Sequence, residues 1–148
     1  MKRIAIVLAV LGGLLLPAAA SARTFDHEGR IVGDDATRVT LGVKVERGDP
    51  KRVTNFKARN VMIRCGKRRR PARITFTVLA PLRVKGDNTF GARLGDGEGG
   101  FLIIHGRVRR HGRATRGNLR TTEFRSHNGP TKGQICRAPR QRFRTSAV

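Results

Sequence analysis

The chain contains no tryptophan and no tyrosine, and only two cysteines and two methionines in 148 residues. Sugar-binding modules and single-strand nucleic-acid binders stack rings or bases on exposed aromatic platforms. Only seven phenylalanines remain for that purpose, and all fall at strand-like positions that suit a core. Stacking on carbohydrate or on bases is therefore disfavoured. Acids are scarce too, with 10 Asp and Glu against 32 Lys and Arg, a formal net charge of +22. Few carboxylates are left for acid–base chemistry or for hard metal ions. From Phe25 onward the helical period is missing and no second long apolar run appears, so no membrane-spanning helix is expected.

The one apolar run is N-terminal. Lys2 and Arg3 precede a 13-residue stretch from Ile4 to Leu16, Pro17 breaks it, and Ala20-Ser21-Ala22 offers a small-x-small cleavage site. This is the grammar of a secretory signal peptide over residues 1–22, and the run is too short to span a bilayer. A single secreted β-domain over residues 23–148 is expected, in the cell envelope or outside it. Loss of Lys2 and Arg3 leaves 30 basic residues against 10 acidic ones, a net +20. In an oxidising compartment the pair Cys65 and Cys136 is expected to form a disulfide. It would close a loop of about 70 residues, worth ~4 kcal/mol in the chain-entropy model. No CxxC spacing points to zinc.

What is present reads as strands. In TRVTLGVKVER, Val39, Leu41, Val43 and Val45 share one parity, and Thr40, Lys44 and Glu46 share the other, as in a half-buried antiparallel strand. Gly48-Asp49-Pro50 reads as a turn, Val53 and Phe56 as a strand, and Val61, Ile63 and Cys65 as another. Ile74, Phe76 and Val78 alternate with threonines. FLIIHGRVRR is the most apolar strand, and RQRFRTSAV closes the chain. About nine short strands with turn signals between them predict an all-β fold, a single antiparallel β-sandwich or flattened β-barrel. No linker or composition break divides it.

Catalytic and metal patterns are thin. Beyond residue 22 the chain has two serines, Ser126 and Ser146, neither in a nucleophile elbow. His105 and His111 lie six residues apart with no acid between them, and no HExxH occurs. Asp26, His27 and Glu28 cannot converge from one strand. Asp34, Asp35, Asp49, Asp87, Asp96 and Glu98 sit in turns, where such side chains hold backbone N–H groups. The loop Gly95-Asp96-Gly97-Glu98-Gly99-Gly100 lacks the Lys-Ser/Thr ending and the following helix of a phosphate loop, and its acids would repel phosphate. No catalytic residue, metal ligand set or cofactor is nominated.

The positive features are cationic. CGKRRRPAR reads as a hairpin loop, Cys65 ending one strand and Ile74 opening the next, with Lys67, Arg68, Arg69, Arg70 and Arg73 on it and Pro71 within it. Arg140, Arg142 and Arg144 recur at two-residue spacing opposite Phe143, and Arg107 and Arg109 flank Val108 in the same way. Guanidinium rows on a rigid sheet suit a repeating anion. Of the 32 basic residues 25 are Arg, however, and a GC-rich genome favours Arg codons without any ligand. These ten residues are the candidate anion-binding set. An anionic polymer or acidic surface is the expected partner, and no specific nucleic acid is expected. A carboxylate-dependent hydrolase and a small inhibitor or ligand carrier are the alternatives.

FDHEGRI after the signal segment, a cysteine ending an early strand, HGRV, ATRGNLR and GQIC near the end together resemble a group of secreted all-β proteins of high-GC bacteria. That resemblance implies the β fold and the cysteine pairing, and it brings no activity.

Overall fold

In a computed structural model describing residues 21–148, the chain forms eleven strands and two 3-10 turns. The expected signal segment lies outside the described residues apart from Ser21 and Ala22, which are exposed and outside any strand. The strands are β1 (Arg23–Ile31), β2 (Asp34–Glu46), β3 (Asp49–Cys65), β4 (Arg70–Val78), β5 (Leu82–Arg83), β6 (Thr89–Gly95), β7 (Phe101–Arg109), β8 (Ala114–Thr121), β9 (Phe124–Arg125), β10 (Ile135–Arg137) and β11 (Gln141–Ala147). All join one antiparallel sheet in the order β6-β7-β8-β11-β1-β2-β3-β10-β9, with β4 and β5 also on β3. The expected all-β fold is met as a single curled sheet that does not close into a barrel.

The curl follows from the core. Phe56 on β3 and Phe143 on β11 are three strands apart in the sheet, about 14 Å if it were flat. Their rings nevertheless meet edge to face, 5.5 Å between centroids. Val39, Leu41, Val43 and Val45 all turn inward as their parity requires, and with Val53, Val61, Ile104 and Leu119 they surround that ring pair. A satellite cluster of Ile63, Cys65, Cys136 and Ala138 fills one end. There Cys136 lies directly opposite Cys65 in register, and the disulfide joins them across 71 residues of sequence.

Two glycines make the curl sterically possible. On the inner face, Phe90, Gly106, Gly117 and Phe143 are successive cross-strand neighbours. A Cβ at Gly106 would collide with the Phe90 ring, and one at Gly117 with the Phe143 ring and the His105 carbonyl. The absent side chains let both rings approach β7 and β8 closely.

Three expectations are corrected. Val53–Phe56 and Val61–Cys65 belong to one 17-residue strand, β3, rather than two. Apolar spacing slips by one residue at Asn55 and again at Asn60, and both adopt left-handed backbone (φ 51° and 57°), as bulges that restore the inward parity. The β2–β3 turn is Arg47-Gly48, both with positive φ, so Asp49 and Pro50 already pair with β2. Pro71 lies in β4 opposite Arg64, not in the hairpin loop. Among the described residues β4 pairs with no strand but β3, and an edge strand tolerates a residue with no N–H to donate.

Candidate anion-binding face

Alternation along each strand sends the apolar residues inward and leaves the other parity on the outer face. On β7, β8 and β11 half of that outer parity is arginine, the rest being Phe101, Ile103, His105, Ala114, Asn118 and Ser146. These strands carry Arg107, Arg109, Arg116, Arg120, Arg142 and Arg144, and no Asp or Glu. The register then lines them up. Arg107 lies directly opposite Arg116, Arg116 opposite Arg144, and Arg144 opposite Arg30 of β1. Side chains facing one another across adjacent strands begin about 5 Å apart. Four arginines thus form a row perpendicular to the strands, over the buried side chains of Val108, Thr115 and Phe143. Beside it, Arg140, Arg142, Arg107 and Arg116 line one shallow groove with His105 and Asn118.

At the other end of the sheet, a second groove of about 700 Å³ is lined by Lys67, Arg69, Arg64, Arg137 and Arg140, with Glu123 as its only acid. Residues 66–69 form the turn between β3 and β4, so the expected hairpin is present. Its tip is tied down by Gly66 N–H donating to the Ile135 carbonyl (2.9 Å) and by the disulfide. Arg140 lines both grooves, so the hairpin tip and the arginine row share one continuous basic surface.

Not every candidate joins it. Lys67, Arg69, Arg107, Arg140 and Arg142 line the two grooves, and Arg144 stands in the row. Arg109 shares the row's face one position farther along β7, opposite Ala114. Arg68 lines neither groove, and Arg70 lies beside a separate cleft along β4. Arg73 is occupied: its Nη1 donates to the Asp34 carboxylate (2.9 Å) and to the Asn60 carbonyl (2.6 Å), which the bulge turns outward. That hydrogen bond holds the Asp34 carboxyl below its ordinary value of 3.8, against the opposing effect of its partial desolvation. Arg73 is thus a clamp between β4 and the start of β2.

Arg116, Arg64 and Arg137 were not singled out in the sequence, although ATRGNLR spaces Arg116, Asn118 and Arg120 like the other rows. The sequence gives parity within a strand. It does not tell which strand lies next to which.

Several titratable groups outside this face have structural partners. Burial pushes the His27 imidazole below its ordinary value of 6.5, with the Gly112 carbonyl and Asp26 opposing less strongly. In the neutral ring Nε2–H donates to the Gly112 carbonyl (2.7 Å) and Nδ1 accepts from the Thr145 hydroxyl (3.1 Å). The Ser126 hydroxyl sits 2.8 Å from the Thr131 hydroxyl, and His127 Nε2 lies 3.3 Å from exposed Glu98. Asp96 accepts from the N–H groups of Glu98 and Gly100, and Asp87 from the N–H and hydroxyl of Thr89. These carboxylates hold loops, as their turn positions predict. Among the described residues no three His, Cys, Asp or Glu side chains cluster as metal ligands, and no helix is long and apolar enough to cross a membrane.

Fold and face together define an all-β, disulfide-bonded domain with a strongly basic outer sheet surface. No protein-family model, curated protein or solved structure matches the chain.

Proposed function

We propose that this is an exported, non-enzymatic binding domain whose arginine row holds an anionic polymer. The observation that carries this reading is the register of Arg107, Arg116, Arg144 and Arg30. Like charges directly opposite one another on a sheet destabilise it, by a few tenths to about 1 kcal/mol per pair. Among the described residues Arg107, Arg116 and Arg144 make no ion pair, and Arg30 at the end of the row is paired with Asp35. A repeating anion laid along the row would relieve that repulsion and would gain paired hydrogen bonds from each guanidinium. Without exposed Trp or Tyr, recognition would rest on the backbone charge of the polymer rather than on its sugars or bases. Export accounts for the disulfide and agrees with the N-terminal segment.

The test is retention on a polyphosphate or sulfated-glycan column across a salt gradient. The triple variant Arg107→Gln, Arg116→Gln, Arg144→Gln is compared with Arg68→Gln, Arg70→Gln, Arg110→Gln, which removes the same charge elsewhere. The first should elute at much lower salt, with a salt slope reduced by about 3, and the second should stay near the parent. Equal loss in both variants would reduce the binding to diffuse charge and end this reading.

A further inference from the structure

The groove beside the hairpin tip differs from the arginine row in one respect: it has an apolar wall. β10 places Ile135 and Arg137 on its outer parity, with Cys136 turned inward and buried. Ile135 is 44% exposed, one of only four large apolar side chains so exposed among the described residues. Pro139 lines the same groove. No aliphatic side chain lines the groove along the row, where the other members are His105, Asn118 and two glycines. An exposed isoleucine alone is ordinary on a protein surface. Ringed by five cations it is not, because each charged neighbour loses hydration beside it without gaining a partner. Glu123 is the only acid in the groove and makes no ion pair among the described residues.

The groove is also held in shape before any ligand arrives. The disulfide fixes Cys65 to Cys136, Gly66 is bonded to Ile135, and Arg64 faces Arg137 directly across the β3–β10 pair. The site therefore offers two arginines on a fixed backbone beside an apolar surface, with Lys67 and Arg69 also lining it.

We propose that this groove is a binding site for a single-chain amphiphilic anion. Its phosphate or carboxylate head lies between Arg64 and Arg137, and its alkyl body lies along Ile135 and Pro139. The head satisfies two cations that now repel each other. The body covers the apolar wall, which a bare anion would leave in contact with water. The site adjoins the row's groove at Arg140 but uses none of the row's four arginines, and would stand even if the row bound no polymer.

Calorimetric titration of the oxidised protein with octyl phosphate, inorganic phosphate and octyl glucoside tests it. Octyl phosphate, kept below its micelle concentration, should bind at least about 10-fold more tightly than inorganic phosphate, through the apolar area it buries. Octyl glucoside, with no charge, should not bind. Ile135→Asn should bring octyl phosphate to within about 3-fold of inorganic phosphate while leaving inorganic phosphate unchanged. Arg64→Gln with Arg137→Gln should weaken both anions and should not lower the thermal midpoint. Octyl phosphate binding no tighter than phosphate, octyl glucoside binding as tightly, or indifference to Ile135→Asn would each overturn the assignment. Binding to anionic vesicles with none to monomeric octyl phosphate would overturn it as well, and would leave a membrane-surface contact in its place.

Discussion

Strands β1–β3 and strands β7, β8 and β11 belong to one sheet, share one core and treat charge differently. The first three hold nine Lys and Arg against six Asp and Glu. Five of those acids are ion-paired: Glu28 with Arg38, Asp34 with Arg73, Asp35 with Arg30, Glu46 with Lys44 and Asp49 with Lys51. The second group holds six arginines and no acid, and three of them, Arg107, Arg116 and Arg144, are stacked in register. Arg30 stands at the seam, facing Arg144 on one side and bonded to Asp35 on the other. A net charge spread over a chain therefore says little until each charge is assigned a partner. In one region basic residues brace strands; in the other they are left to the solvent.

The largest effect is expected where the arginine face meets the core. Gly117→Val would drive a side chain into the Phe143 ring and should cost about 3 kcal/mol. A thermal melt should show it, and retention on an anionic column should fall with the fold. An equivalent substitution at Gly33, where a Cβ meets nothing within 4 Å, should cost much less, although its φ of 82° adds some strain.

Next come the charges themselves, which should respond with opposite signs in the two regions. Arg116→Gln removes a repulsive cross-strand neighbour on each side and should raise stability by about 0.5–1 kcal/mol. Arg73→Gln takes from Asp34 its ion-pair partner among the described residues and should lower stability by up to about 1 kcal/mol, since the pair is partly exposed. Denaturant titration of both single variants decides this, and equal signs would erase the distinction between the regions.

Acid should weaken the seam through His27. The unfolded chain takes up its proton near pH 6.5, whereas the buried ring does so only at lower pH. The unfolded state therefore binds more protons as pH falls below 6.5, and stability drops over that window and is constant above it. Asp34 adds a second loss below its unfolded value of 3.8, because Arg73 favours its charged form in the fold. Melting temperatures of the parent and His27→Gln from pH 8 to pH 4 should converge as the pH drops.

The smallest effect is expected beneath Arg116. The Thr115 hydroxyl is fully buried and, among the described residues, has no hydrogen-bond partner. Thr115→Val removes that cost and should stabilise the sheet by about 1 kcal/mol or less, with polymer retention unchanged. A loss of stability would mean that the hydroxyl has a partner after all.

Much of the fold was legible in the sequence because strand alternation is a local property. Val39 to Val45, Ile74 to Val78 and Phe143 between its arginines all face as their parity requires. The bulges at Asn55 and Asn60 were not read, although the slips from Val53 to Phe56 and from Ala58 to Val61 record them. A slip in period looks the same as a strand ending. The missed bulge at Asn60 hid the carbonyl that, with Asp34, engages the candidate anion ligand Arg73.

Alternation, glycine placement and charge were enough to specify an all-β chain, the inward and outward members of most strands, the hairpin at CGKRRRPAR and the pairing of its two cysteines. These depend on neighbours two to four residues away, or on there being only two thiols. Tertiary structure alone decided that β11 lies between β8 and β1, that Arg107, Arg116, Arg144 and Arg30 therefore form one row, and that Arg140 joins that row to the hairpin groove. Strand order is set by how the whole core closes around Phe56 and Phe143, and no local spacing encodes it.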